Sequence, residues 1–301
     1  MITEIARPLP HGITLACRVA GEPGRPVLLF MHGFPEAAFI WDELLEHFSQ
    51  PENGGYRCVA PFLRGFGPSD APAEVEAYRA KHLIQDIAAL IAIESPDAPL
   101  AALVAHDWGG AVAWSVANQH PRLMQRLCII NSPHAGAFLR ELQKNPAQQA
   151  ASRYMHFLCR PDAEALLAED GFKRMFAMFN DPQGQPPVWM TADERAKYHA
   201  VWAKGLKGGC NYYRASPMRP PLSADDPILQ LQFAREVLAI HVPTLVMWGM
   251  ADPALLPALL DGLGDWVPDL RVVPIEGASH WVVQEQPQRV TRELAQFLLS
   301  K

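Results

Sequence analysis

The sequence contains few cysteines, and they are not clustered. Five cysteines occur among 301 residues, and their odd number and wide spacing match neither a disulfide framework nor a zinc site. This scatter predicts reduced thiols in a cytoplasmic protein. The cysteines are Cys17, Cys58, Cys128, Cys159 and Cys210.

Basic blocks and long apolar runs are also missing. The formal net charge is −6, so we expect no nucleic-acid partner. Each apolar run is too short to span a bilayer, and residues 1–12 lack the apolar core of a signal peptide, so we expect no membrane partner. A content of 49% hydrophobic and 19% charged residues is ordinary for a soluble globular protein.

Short apolar runs alternate with amphipathic ones in the first part of the chain. Strands are predicted at residues 27–31, 56–61, 100–105 and 127–131. Apolar side chains recur at helical spacing between them, at Trp41, Leu44, Leu45 and Phe48, and again at Leu83, Ile87, Leu90 and Ile91. Such alternation predicts an α/β fold, with a mostly parallel central sheet flanked by helices.

The pattern changes in the middle of the chain. From about Ser132 to Leu238, helical runs and loops rich in Phe, Met and Trp replace the buried strands. Predicted strands resume at residues 244–248 and 270–275, before a last predicted helix. We therefore predict an α/β core in two parts, 1–131 and 239–301, interrupted by a helical cap at 132–238.

A candidate nucleophile lies between a predicted strand and a predicted helix. The stretch AHDWGG at residues 105–110 has the strand, sharp turn and helix context of a nucleophile elbow, and small residues flank its centre. The centre is Asp107, where serine is usual. A carboxylate there predicts displacement at an sp³ carbon through an alkyl ester on the side chain. Its reference pKa of about 4 means that it needs no base to ionise it.

Hydrolysis of such an ester needs an activated water, which a histidine held by an acid provides. Asp252 follows the predicted strand 244–248, and His280 follows the next one, in the expected order of nucleophile, acid and histidine. Asp261 and Asp265 remain alternatives for the acid. In some relatives the acid follows the earlier strand, but Asn131 near that position carries no charge.

The same hydrolysis needs hydrogen-bond donors for the oxyanion. We predict that these are the backbone N–H groups of Phe34, in the first loop, and of Trp108, directly after the nucleophile. The helix that begins there adds the positive end of its dipole beside Asp107.

The chain resembles the soluble epoxide hydrolases of the α/β-hydrolase fold over nearly its whole length. The motifs that carry this resemblance are HGFPE at 32–36, RGFGPSD at 64–70, HDWGG at 106–110 and GASHW at 277–281. The elbow and first-loop motifs are shared with haloalkane and haloacetate dehalogenases, so alone they indicate only the superfamily.

The resemblance implies two cap tyrosines that hydrogen-bond the epoxide oxygen. One lies in an Asn-aromatic-Tyr-Arg motif, which here is NYYR at 211–214 and assigns the role to Tyr213 rather than Tyr212. The other precedes an aromatic stretch and a proline, a pattern that Tyr154 fits more loosely. A phenol stays protonated at neutral pH and can stabilise the developing alkoxide.

The resulting expectation is hydrolysis of an apolar epoxide to a vicinal diol, with water as the second substrate. No metal or organic cofactor is required for this route, and a homodimer is compatible with the sequence. A dehalogenase using the same Asp107 is the alternative. Haloacetate dehalogenases usually place arginines just after the nucleophile, where this chain has none, and haloalkane dehalogenases typically carry a halide ligand at the position of Phe34. A non-catalytic ligand-binding protein on this scaffold ranks lower.

Overall fold

One eight-stranded sheet organises the chain. The structure is a computed structural model that describes residues 1–300. The strands are β1 (Thr3–Pro8), β2 (Thr14–Ala20), β3 (Val27–Met31), β4 (Arg57–Pro61), β5 (Ala102–His106), β6 (Leu127–Ile130), β7 (Thr244–Gly249) and β8 (Leu270–Ile275). Their order across the sheet is β1-β2-β4-β3-β5-β6-β7-β8.

The inner strands are buried on both faces. Every residue of β3, β5, β6 and β7 is buried, as expected of short apolar runs in a parallel sheet covered by helices. From β4 to β8 all neighbours are parallel, whereas β1 and β2 join the edge in antiparallel pairing. The α/β-hydrolase fold with a mostly parallel sheet is thereby confirmed.

Helices cover the sheet. On one side α1 contacts α12 and strands β2 and β4, while α2 and α3 contact each other and α3 contacts β5 and β6. These helices carry apolar residues at the spacing that buries one face. Their bounds are α1 (Asp42–Ser49), α2 (Ala80–Glu94), α3 (Asp107–Gln119), α11 (Val282–Glu285) and α12 (Pro287–Leu299).

The segment between β6 and β7 is helical. Residues 131–243, all of which the structure describes, contain helices, turns and loops but no strand. The helices are α4 (Ala135–Lys144), α5 (Pro146–Ala151), α6 (Tyr154–Leu158), α7 (Ala163–Ala177), α8 (Ala192–Trp202), α9 (Lys207–Ala215) and α10 (Arg235–Leu238). The boundaries of a cap at 132 and 238 stay a prediction. In residues 1–300, no helix combines the length and apolarity needed to cross a membrane.

Candidate active site

Asp107 lies at a strained turn between β5 and α3. Its φ of +50° is in the left-handed region, which aspartate tolerates better than most residues. The turn brings backbone so close that a Cβ on Gly33 would lie 2.1 Å from the Asp107 Oδ1 atom, and one on Gly109 would lie 2.5 Å from the carbonyl oxygen of His32. Glycine at both positions is what allows the carboxylate to meet the first loop.

Backbone donors surround one oxygen of this carboxylate. The Phe34 N–H donates to Asp107 Oδ1 over 2.8 Å, and the Trp108 N–H helps to lower the pKa of the same carboxyl. The hydroxyl of Ser132 donates to the Asp107 carbonyl oxygen at 2.6 Å, which ties the turn to the end of β6. The Oδ1 atom therefore occupies the position at which an oxyanion would be stabilised.

The structure brings Asp252 and His280 together beside Asp107. His280 Nδ1 lies 2.7 Å from Asp252 Oδ2, and its Nε2 lies 3.6 Å from Asp107 Oδ2. The other oxygen of Asp252 accepts the backbone N–H groups of Ala254 and Leu255 at 2.8 and 2.9 Å. The loops at the carboxyl ends of β5, β7 and β8 thus converge, as the open parallel sheet predicts.

The alternative acids do not occupy this position. Asp261 and Asp265 lie in and beside short 3₁₀ turns after β7, and Asp261 offers its backbone carbonyl to Arg140. The hydrogen bond of the His280 imidazole goes to Asp252 instead.

Asn131 supports the acid, a role that the sequence analysis missed. Its side-chain amide donates to Asp252 Oδ2 at 2.7 Å, and its Oδ1 accepts the Gly249 N–H at 2.8 Å. With φ at +38°, Asn131 occupies a left-handed turn just after β6. Its position directly after a strand was the available signal, because that is where site residues collect in such sheets.

The charges in the site reinforce one another. Burial alone raises the pKa of Asp107, but hydrogen bonding and attraction from His280 reverse this, so the pKa stays below its usual value. Burial likewise opposes the charged form of His280, whereas the Asp252 and Asp107 carboxylates raise its pKa well above the usual value. The free site therefore stabilises a charged Asp107 next to a protonated His280.

A second histidine holds the His280 loop from behind. His106 Nε2 lies 2.9 Å from the His280 carbonyl oxygen, and its Nδ1 lies 2.9 Å from Glu36 Oε2. The Gln284 side chain donates to the other oxygen of Glu36. His106 and Glu36 are completely buried, so this pair sits against the rear of the loop that carries His280.

A cavity of about 500 Å³ opens above Asp107, and both predicted tyrosines line it. The Tyr154 and Tyr213 rings meet edge to face with centroids 6.0 Å apart, and Tyr213 packs likewise against Trp108 at 5.1 Å. Burial, the nearby phenol and the negative charge of Asp107 raise the pKa of Tyr213 well above its usual value. Burial followed by the charges of Asp107 and Asp252 raises that of Tyr154.

Tyr212 also lines the cavity, but its hydroxyl is committed elsewhere. It donates to the backbone carbonyl of Arg64 at 3.0 Å. Arg64 itself forms a buried bidentate ion pair with Asp86, at 2.6 and 2.7 Å. Tyr212 thus anchors α9 to the loop after β4, while Tyr213 belongs to the group around Asp107.

Comparison with known families supports the class that this fold and site define. A family model described as the alpha/beta hydrolase fold matches residues 26–287.

Individual relatives narrow the class. The chain is 33% identical to epoxide hydrolase 3 of Xenopus tropicalis over 294 residues, covering 95% of this chain and 75% of the relative. It is 30% identical to epoxide hydrolase A of Mycobacterium tuberculosis, covering 96% and 95%. The crystal structure of a Bacillus megaterium epoxide hydrolase with an inhibitor superposes with a TM-score of 0.88 at 30% identity, covering 98% of this chain and all of that one. The chain therefore belongs to the epoxide hydrolases of the alpha/beta hydrolase fold.

Proposed function

We propose that the protein hydrolyses an apolar epoxide to a vicinal diol through a covalent ester on Asp107. Asp107 Oδ2 attacks an epoxide carbon and the ring C–O bond breaks. The ring oxygen accepts a hydrogen bond from Tyr154 and from Tyr213 and takes a phenolic proton, which solvent later returns. The product of this step is a hydroxyalkyl ester.

In the second step, His280 removes a proton from water, and the resulting hydroxide attacks the Asp107 carboxyl carbon. The charge that develops on Oδ1 is stabilised by the N–H groups of Phe34 and Trp108. The tetrahedral intermediate collapses, the diol leaves with the proton from His280, and the carboxylate is restored. Asp252 orients the imidazole and stabilises its charged form.

The observation that carries this proposal is the arrangement of two phenols and one carboxylate around the same cavity. Both phenol pKa values are raised, so both groups remain protonated donors at neutral pH. A displacement of halide creates no alkoxide and has no use for such donors. We assign residues 132–238 as the cap that supplies them.

The order of charge changes also fits the two steps. Before attack, Asp107 is ionised and helps to raise the pKa of His280. Formation of the ester removes the negative charge of Asp107, so the pKa of His280 falls. The imidazole then loses its proton more readily and becomes the base that the second step requires.

A single turnover in ¹⁸O-water tests the covalent ester. The heavy oxygen should enter the Asp107 carboxylate, while the first diol released carries no label. If label appears in the first diol and not at Asp107, water attacks the epoxide directly and the proposal is wrong. Parallel assays of haloalkanes and haloacetate test the dehalogenase alternative, which predicts release of halide without diol formation from any epoxide.

A cytoplasmic location and a homodimer stay predictions of the sequence.

A further inference from the structure

The cavity extends far beyond the catalytic carboxylate, along one face of α3. Four of its lining residues, Asp107, Ala111, Ser115 and Asn118, recur at helical spacing on that helix. At a rise of 1.5 Å per residue, Asp107 and Asn118 are about 16 Å apart along the helix axis. The volume of about 500 Å³ falls within the range for sites that enclose molecules of drug size.

The far end of the cavity lies beside α10. The Asn118 side chain donates to the Ala239 carbonyl at 2.9 Å, which joins the end of α3 to the chain just after α10. Phe233 and Val237 also line the cavity, yet they are 42% and 59% exposed to solvent. Apolar side chains exposed at the rim of a cavity mark a mouth through which apolar molecules enter.

The walls carry little charge. Among the lining residues, all of which the structure describes, there is no lysine or arginine, and Asp107 is the only acid. His134 is neutral, because burial lowers its pKa to about 4. Leu83 and Ile84 of α2, Met218, and Ile240 supply apolar wall surface.

We propose that the site takes an elongated, uncharged lipophilic epoxide whose chain lies along α3 from Asp107 toward Asn118. The inference rests on the proposed epoxide hydrolysis at Asp107 and adds the class of substrate. Each methylene that leaves water favours binding, whereas a carboxylate buried without a cationic partner is costly. An epoxide bearing an acid on a chain shorter than the cavity is therefore disfavoured.

A homologous series of terminal epoxides tests the length of the site. From 1,2-epoxybutane to 1,2-epoxyoctane we expect kcat/KM to rise by about a hundredfold, since a buried methylene contributes up to about a fourfold gain. Equal kcat/KM for both substrates would overturn the inference while leaving epoxide hydrolysis intact.

Ser115→Trp tests the path of the chain. An indole two turns from Asp107 shortens the cavity, so the ratio of kcat/KM for 1,2-epoxyoctane over 1,2-epoxybutane should fall at least about tenfold. Ser115→Ala, the matched small substitution, should leave this ratio near that of the wild type. An unchanged ratio in Ser115→Trp places the chain elsewhere and overturns the inference.

Charge at the far end is tested with a pair of substrates and a pair of variants. 7,8-Epoxyoctanoate should show a kcat/KM at least about tenfold below that of 1,2-epoxyoctane. Asn118→Lys should raise the relative kcat/KM of the acid severalfold compared with Asn118→Met, since both variants lose the bond to Ala239 and only lysine adds a cation. Equal treatment of the acid by both variants contradicts the placement of the chain terminus.

Binding of the diol products separates this inference from the proposed function. Titration calorimetry with 1,2-octanediol and 1,2-butanediol reports the cavity without any turnover. If neither epoxide is hydrolysed but the longer diol binds more tightly, the proposed function fails and the assignment of the cavity stands. If both diols bind equally, the inference fails whatever the activity.

Discussion

The strand ends and the helices between β6 and β7 contribute to the site by different physical means. At the strand ends, backbone groups hold the charged residues: the Phe34 N–H holds Asp107, and the N–H groups of Ala254 and Leu255 hold Asp252. In the helical segment, aromatic packing positions the phenols, since Tyr213 lies edge-on between Trp108 and Tyr154.

This difference separates the two tasks of the reaction. The strand ends fix a charge system that must keep its geometry through two steps, and buried backbone hydrogen bonds resist displacement. The helical segment presents donors to an oxygen whose position varies with the substrate, and it supplies much of the cavity wall. Changes at strand ends should therefore abolish individual steps, whereas changes in the helices should weaken ring opening or alter substrate choice.

The largest loss is expected from Asp107→Asn. Asparagine tolerates the left-handed backbone at this position, so the fold should survive, but an amide does not displace at carbon. We expect the rate of diol formation to fall by about 10⁵-fold, as measured by chromatography, with intact mass confirming that the amide persists. Retention of more than a hundredth of the activity would show that the strand-end carboxylate is not the nucleophile.

His280→Gln should separate the two steps. Glutamine is not a base, so hydrolysis of the ester should slow by about 10³-fold while attack by Asp107 continues. Intact-mass spectrometry should then show the protein gaining the mass of one epoxide, located by digestion at Asp107. A slow variant that never carries this adduct would contradict the assignment of His280 to the second step.

Sequence patterns predicted the strand-end part of the site better than the rest. The strand before His280 occupies residues 270–275, as predicted, and α3 begins earlier than its apolar pattern indicated because the turn at Asp107 is already its first residue. The antiparallel β1 and β2 were not predicted, since edge strands with partly exposed faces lack a continuous apolar run.

Residues that act through another side chain were harder to find. Asn131 has no charge and matched no expected catalytic pattern, so its bond to Asp252 emerged only from the fold. The opposition of Glu36 and His106 behind His280 joins three loops that are distant in sequence. Such contacts depend on how the loops pack, which hydrophobic periodicity does not encode.

The helical half of the comparison is tested by removing the phenols one at a time. Tyr213→Phe and Tyr154→Phe each delete a donor to the ring oxygen, and each should slow formation of the ester by about 10²-fold in rapid-quench experiments. Hydrolysis of ester already formed should be unaffected.

Tyr212→Phe is the matched control for this pair. Its hydroxyl donates to the Arg64 carbonyl, so we expect ring opening within a few-fold of the wild type and a loss of about 1 kcal/mol in the free energy of unfolding. A loss of activity in Tyr212→Phe that equals the loss in Tyr213→Phe would remove the distinction between the two phenols.

The smallest expected effect is a shift in pH dependence caused by Asp252→Asn. The Asp252 carboxylate raises the pKa of His280, so its neutralisation should lower that pKa. A base must be unprotonated to act, and a lower pKa leaves it unprotonated at lower pH. The acid limb of ester hydrolysis, measured by single-turnover decay of the ester, should thus move down by about one pH unit, while the plateau rate falls because the weaker base is less effective. The rate of ester formation should keep its acid limb, because that limb follows ionisation of Asp107, whose pKa is already lowered. A shift of the hydrolysis limb to higher pH, or equal shifts in both steps, would mean that the charge of Asp252 does not act through His280.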